Sequence, residues 1–241
     1  MILITGAGSG LGRALSLQLA QLGATIILVG KSKKKLEQVY DDIEAQGSPQ
    51  AAIFPMDLAK AGEQDYVGLA HAVADNFTRL DGLILNAASL GQHGPVVHIE
   101  LEQWQRAVQV NLSANFLFCK HFAGLLNVGD KSSLIFVSDQ LSSHGRAYWS
   151  CYDAMKAATE NLIQTIADEW EANTAIHANS IRLPAMQTML RRQAFPAEDP
   201  TALPVPENMT LPLVALCDPG QDWPRGQCLN WDFAAKSLSE I

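Results

Sequence analysis

The chain has 241 residues, 17 basic and 25 acidic, for a formal net charge of −8, and 48% of its residues are apolar. A chain of this length can bury a core without disulfide or metal staples, and the apolar share excludes general disorder. The acid excess excludes a nucleic-acid binder that relies on a broad basic surface and simple adhesion to anionic membranes, but not one localised anion site. Cys119, Cys151, Cys217 and Cys228 form no C-x-x-C pair, and the six histidines show no ligand spacing. Reduced thiols and no metal site are therefore expected. No apolar run approaches the roughly 20 residues of a membrane span, and the N-terminal MILITGAGSG lacks the basic start and long apolar run of a signal peptide. A cytoplasmic protein is the expectation.

Short apolar runs at Ile2–Ile4, Thr25–Val29, Ala51–Pro55, Gly82–Leu85, Ser133–Val137 and Ala175–Ile181 predict strands buried on both faces. Helical stretches lie between them at Leu11–Leu22, Lys33–Gln46, Glu63–Thr78, Leu101–Leu126 and Asp153–Glu171. Gln227–Asn230 predicts a final edge strand. This alternation implies an α/β fold: a doubly wound parallel sheet of about seven strands with helices on both faces, in a single domain over 1–241. The segment Pro184–Pro206 is broken at Pro196, Pro200 and Pro204 as well. It predicts an ordered loop with at most short helices, packed as a lid over one end of the sheet.

The first strand runs into Thr5-Gly6-Ala7-Gly8-Ser9-Gly10-Leu11-Gly12, where a helical pattern begins. Glycines let the backbone approach a pyrophosphate, and the amides at a helix N-terminus bind anions. In this strand–turn–helix context the motif predicts a Rossmann-like dinucleotide site built from Gly6, Gly8, Ser9, Gly10, Leu11 and Gly12. The second strand ends in Val29-Gly30-Lys31-Ser32-Lys33-Lys34-Lys35. It offers no acid to accept from a ribose 2′-hydroxyl, as NAD binders usually do. Ser32 predicts an N-cap, and a cation cluster in the first helical turn opposes the helix dipole unless an anion is bound. NADP(H) is favoured over NAD(H), with Lys31 and Ser32 at the nucleotide.

At Tyr152-Asp153-Ala154-Met155-Lys156 a second motif appears. Residues four apart share a helix face, and a nearby lysine cation favours the phenolate of a tyrosine. With TGAGSGLG this pattern resembles the short-chain dehydrogenase/reductase family over almost the whole chain. The resemblance includes Asp57-Leu58, where the family's Asp contacts adenine, and Asn86-Ala87-Ala88, where the family usually reads N-A-G. It also includes Asn111, matching the family's active-site Asn, and Thr188, matching a threonine that contacts the nicotinamide carboxamide. Gly145-Arg146-Ala147-x-Trp149-x-x-Tyr152 looks most like the YciK-like bacterial group. The resemblance implies hydride transfer to or from a small carbonyl/alcohol substrate. Tyr152 would be the acid/base, Lys156 would also hold the nicotinamide ribose, and Asn111 would organise a relay water. It also implies a homodimer or homotetramer through the helices at Leu101–Leu126 and Asp153–Glu171.

The pattern breaks where the family places a serine 13 residues before the tyrosine: position 139 is Asp. An ionised Asp cannot donate to a substrate oxygen as serine does. At about 4 Å from a developing alkoxide it would cost on the order of 4 kcal/mol at an effective dielectric near 20. It would also oppose the lysine and raise the tyrosine pKa. Ser138 faces the other side of a regular strand unless a bulge re-aims it; Ser142 and Ser143 are further candidates. Asp139 acts either protonated, as a donor, or with its charge neutralised by a cationic substrate or Arg146. Arg182-Leu183-Pro184-Ala185 also departs from the family's Pro-Gly. These departures leave a second reading open: a cofactor-binding protein with weak or no dehydrogenase activity, in a sensor or interaction role.

Overall fold

A computed structural model describes residues 1–140 and 144–240. Eight strands form one sheet: β1 (Ile2–Thr5), β2 (Ile26–Gly30), β3 (Ala52–Pro55), β4 (Gly82–Leu85), β5 (Ser132–Asp139), β6 (Ile176–Leu183), β7 (Cys228–Asp232) and β8 (Ser237–Glu240). Their order is β3-β2-β1-β4-β5-β6-β7-β8, parallel from β3 to β7, with β8 antiparallel to β7. The expected edge strand is thus β7, which begins at Cys228, and the edge is an eighth strand. The sequence Ser-Leu-Ser-Glu is too short and too polar to signal that strand through periodicity.

Both faces of the sheet are covered. On one face lie α1 (Gly10–Gln21), α2 (Lys33–Ala45) and α8 (Leu211–Leu216). On the other lie α3 (Glu63–Asn76), α5 (Ala114–Leu126) and α6 (Ser150–Glu171). Successive strand residues alternate between the two cores, as Leu3 and Ile27 face α3 and α5 while Ile4 and Leu28 face α1 and α2. Tyr66, Phe118 and Phe122 are fully buried, with the Tyr66 and Phe118 rings edge to face at 5.0 Å. Sheet order reverses between β1 and β4, the switch point where open α/β sheets leave a crevice at the strand C-termini.

The predicted helix over Leu101–Leu126 is two helices, α4 (Leu101–Val108) and α5, joined by a wide turn at Gln109–Ser113. Such a turn slips the hydrogen-bond ladder by one residue, which hydrophobic periodicity over 26 residues does not reveal. The predicted helix at Asp153 begins earlier, at Ser150, so Tyr152 lies in its first turn. The lid holds a short helix, α7 (Met189–Ala194), capped by Thr188. Among the described residues no helix is long and apolar enough to cross a membrane. Cys119, Cys151, Cys217 and Cys228 are all free thiols.

Candidate active site

The glycine turn is shaped by close approach. Gly6 adopts φ +69°, and a Cβ there would meet the Asn86 Nδ2 at 3.0 Å; a Cβ on Gly12 would stand 2.4 Å from the Gly6 carbonyl oxygen. The Thr5 hydroxyl accepts from the Asn86 and Ala87 amides at 2.9 and 3.0 Å, tying the β1 end to the β4 end. Ser9 caps α1 through no side-chain bond, so its first amides need another acceptor. They open into a cleft of about 440 Å³. This glycine cradle with amides to spare fits the pyrophosphate of a dinucleotide.

Gly6, Gly8, Ser9, Gly10, Leu11, Lys31, Ser32, Asp57, Leu58, Asn86, Ala87, Asp139, Tyr152, Lys156 and Thr188 all line that cleft, and two expected residues do not: Gly12 and Asn111. Gly12 packs behind the turn. Asn111 sits in the wide turn, buried, with its side chain clamped on the Ser89 backbone by two 2.8 Å bonds. Its carbonyl accepts from Thr159 of α6 at 2.8 Å and from Asn115 at 2.7 Å. In this structure Asn111 ties α4, α5 and α6 to the loop after β4. Lys35 lines the cleft beside Lys31 and Ser32, whereas Lys33 turns to Glu37 at 3.5 Å. Ser32 accepts from the Lys35 amide at 3.4 Å, as expected of an N-cap.

At the other end of the cleft Lys156 is buried, and its ammonium donates to the Val137 carbonyl at 2.7 Å, 5.5 Å from the Tyr152 ring centre. Burial pulls the lysine down to about 8, while Asp139 and Glu160 act to hold it up. The Tyr152 hydroxyl donates to the Asp139 carboxylate, and burial first, then the charges of Asp139 and Asp153, raise its pKa well above the ordinary tyrosine value.

The register of β5 against β6 runs unbroken through Ser138↔Arg182 and Asp139↔Leu183. No bulge interrupts the strand there; Ser138 and Asp139 both line the cleft, and Asp139 is hydrogen-bonded to the tyrosine. Ser142 and Ser143 lie outside the described residues. Arg146 grips Asp153 through guanidinium bonds of 2.6 and 3.0 Å, and the charge of Asp139 also acts on it. Asp153 lies four residues before Ala157 in the first turn of α6, where a carboxylate is favoured by the helix dipole.

An aromatic wall stands over this site. Trp149 lies 4.4 Å from His93, 5.4 Å from Phe195 and 6.0 Å from Tyr152, between ring centres. The Arg146 and Arg191 guanidiniums stack at 3.8 Å on Trp149 and Phe195, and Arg191 is held by Glu198 through two 2.7 Å bonds. The lid therefore closes on the catalytic helix through rings, and on the glycine turn through Thr188, whose methyl stands 3.2 Å from where a Gly10 Cβ would be. Thr188 also accepts from the Arg191 amide at 3.1 Å. Arg106 of α4 lines the cleft as well. A single exposed Arg on an amphipathic helix carries no signal that singles it out.

The family model for short chain dehydrogenases matches residues 1–199. The chain belongs to the short-chain dehydrogenase family. It is thereby an NAD(P)-dependent oxidoreductase. It is 37% identical to the uncharacterized oxidoreductase YciK of Escherichia coli K12 over 209 residues, 87% of this chain and 82% of that one. It is also similar to a Shigella flexneri 2a chain solved in complex with NADP (34% identity, TM-score 0.91, 95% of each chain). An Escherichia coli CFT073 chain complexed with NADPH is equally close in shape, at 36% identity and TM-score 0.90 over 95% of each chain.

Proposed function

We propose that this chain is an NADP(H)-dependent oxidoreductase that moves a hydride between nicotinamide and a small carbonyl or alcohol substrate. Tyr152 is the acid/base, supported by Lys156 and, as a positioning residue, Asn111. The observation that carries this reading is the continuity of one cleft, from Lys31 and Lys35 past the glycine turn to Tyr152 and Lys156. The amides at the α1 N-terminus take the pyrophosphate, Asp57 and Leu58 the adenine end, and Lys31, Ser32 and Lys35 a 2′-phosphate. Thr188 and the loop from Leu183 to Met186 face the other end. Bound nicotinamide supplies or accepts the hydride. Tyr152 holds the proton that the substrate oxygen takes, and Trp149 and Phe195 exclude water from that step.

The complexes of related chains with NADP and NADPH support the same cofactor here. One domain, a cytoplasmic setting and a homodimer or homotetramer through α4, α5 and α6 complete the proposal. Michaelis constants for NADPH and NADH test it: NADPH is expected to bind at least about tenfold more tightly, since three charge-assisted contacts favour its phosphate, and a preference for NADH contradicts it. The Asp139–Tyr152 hydrogen bond favours a second reading, a site weakened for dehydrogenation. A large gain of carbonyl reduction in Asp139→Ser would support that reading, and a loss would count against it.

A further inference from the structure

Beside the cleft lies a second space of about 390 Å³, lined by His93, Gln103, Arg106 and Gln193. It opens off the catalytic end, because Ser89, Leu90, Arg106 and Gln193 line both spaces. Three elements meet there. The loop after β4 brings His93, α4 brings Gln103 and Arg106 on one face, three residues apart, and α7 of the lid brings Gln193. Rings lead from one space to the other: Tyr152 stands edge-on to Trp149 at 6.0 Å, and Trp149 lies 4.4 Å from His93. The polar side chains of this side space can all donate a hydrogen bond, and none is an acid. Arg106 forms no ion pair among the described residues, not even with Glu102 four residues before it. Arg146 and Arg191, by contrast, are held by Asp153 and Glu198. Lys156 and Asp139 line the cleft and not the side space, so the charge there is set by Arg106 whatever holds Asp139.

Resting on the oxidoreductase reading above, we infer that the substrate carries a carboxylate, and that this group seats on Arg106 in the side space while the carbonyl or alcohol lies at Tyr152. The planar guanidinium matches a carboxylate through two parallel hydrogen bonds. The amide groups of Gln103 and Gln193 donate to oxygens that Arg106 leaves open. The body of the substrate lies against Trp149 and Phe195, which line the cleft between the two ends. In the reducing direction the carbonyl carbon takes a hydride from the reduced nicotinamide, the C=O π pair passes to oxygen, and that oxygen takes the Tyr152 proton. The substrate is reduced, the nicotinamide is oxidised, the tyrosine recovers its proton from solvent, and the carboxylate is unchanged. Arg106 is thus a specificity residue: it selects an oxo acid or a hydroxy acid over a neutral compound of the same shape.

The test compares 4-oxo-4-phenylbutanoate with 4-oxo-4-phenylbutanamide, which differ in charge at nearly equal size, as substrates for NADPH oxidation by the wild-type protein and by Arg106→Gln. The wild type is expected to favour the acid in kcat/KM by at least about tenfold, the usual effect of a charge-assisted pair, and Arg106→Gln to remove that preference chiefly by raising KM for the acid. A second readout needs no turnover. Calorimetric titration of the NADP(H)-loaded protein with 4-phenylbutanoate and 4-phenylbutanamide, which lack the ketone, is expected to show tighter binding of the acid in the wild type and equal binding in Arg106→Gln. NADPH affinity is expected to stay within about threefold in the variant. An amide turned over or bound as well as the acid by the wild type, or a ratio unchanged by Arg106→Gln, overturns the inference and leaves the oxidoreductase reading standing. A fall in NADPH affinity as large as that for the acid also overturns it, by placing Arg106 at the cofactor. Turnover of neither compound by the wild type counts against the oxidoreductase reading, and the binding preference then decides the carboxylate site by itself: its presence supports the site and its absence overturns it.

Discussion

The two ends of the cleft are built on different principles. At the nucleotide end, around β1, α1, β2 and the start of α2, the working groups are backbone amides exposed by glycines, and side chains contribute charge at the rim. At the catalytic end, around β5, α6 and the lid, the working groups are the buried side chains of Lys156 and Tyr152, on which burial and the charge of Asp139 act. The first end is constrained by space at the glycine turn and by charge at its rim. The second is constrained by charge, since burial and the Asp139 carboxylate both act on the Tyr152 hydroxyl. A fold keeps its cofactor while its chemistry moves because these two demands fall on different residues.

Substitutions that strike one end alone sharpen that contrast. Gly12→Ala strikes the nucleotide end hardest. Its Cβ would stand 2.4 Å from the Gly6 carbonyl, so the turn must shift, and NADPH affinity is expected to fall at least about a hundredfold, with about 1–3 kcal/mol of stability lost to overpacking. Calorimetric binding and thermal unfolding check both. At the catalytic end, buried Glu160 and partly buried Arg182 form an ion pair through bonds of 2.7 and 2.9 Å. Glu160→Ala leaves the partly buried guanidinium without its partner, and denaturant unfolding is expected to show a loss of about 1–3 kcal/mol. Lys31→Glu combined with Lys35→Glu is expected to raise the Michaelis constant for NADPH about tenfold while changing that for NADH by less than about threefold, since the lost contacts are to phosphate. Equal effects on both cofactors would place the lysines outside the phosphate site.

The smallest effect is in pH dependence. Lys156 is held down to about 8, chiefly by burial. As pH rises through that value the ammonium is lost, and turnover is expected to decline on that limb. Stability moves the other way: the unfolded lysine stays protonated to about 10.4, so between those values the unfolded chain binds more protons and folding becomes more favourable as pH rises. Alkaline inactivation is therefore expected without unfolding, and it reverses on lowering the pH. Asp139→Ser removes a charge that holds the ammonium up and is expected to move the limb to lower pH. A pH profile followed alongside circular dichroism checks both.

Much of this was legible in the sequence because it rests on local patterns. The apolar runs at Ile2 and Gly82 gave the parallel core, and the turn from Gly6 to Gly12 announced both its shape and its use. Asp139 stood out by its spacing from Tyr152, and its effect on the tyrosine followed from charge alone. What stayed hidden depends on three-dimensional partners. Arg146 pairs with Asp153 rather than Asp139 because helix α6 starts three residues before Asp153 and turns that carboxylate back toward the preceding loop. Asn111 spends its amide on the Ser89 backbone because the helix slips at Gln109–Ser113, which no periodicity shows. The stacking of Phe195 on Trp149 joins segments 46 residues apart in sequence.

The claim that joins the two ends is that a nucleotide held by the glycine turn meets its proton donor at Tyr152. The most direct test measures NADPH binding and substrate turnover in the same preparation of Tyr152→Phe. NADPH affinity is expected within about threefold of the wild type and turnover lower by about 10² to 10⁴, the range for loss of a positioned acid. Turnover that survives at the wild-type level, with NADPH still bound, would contradict it.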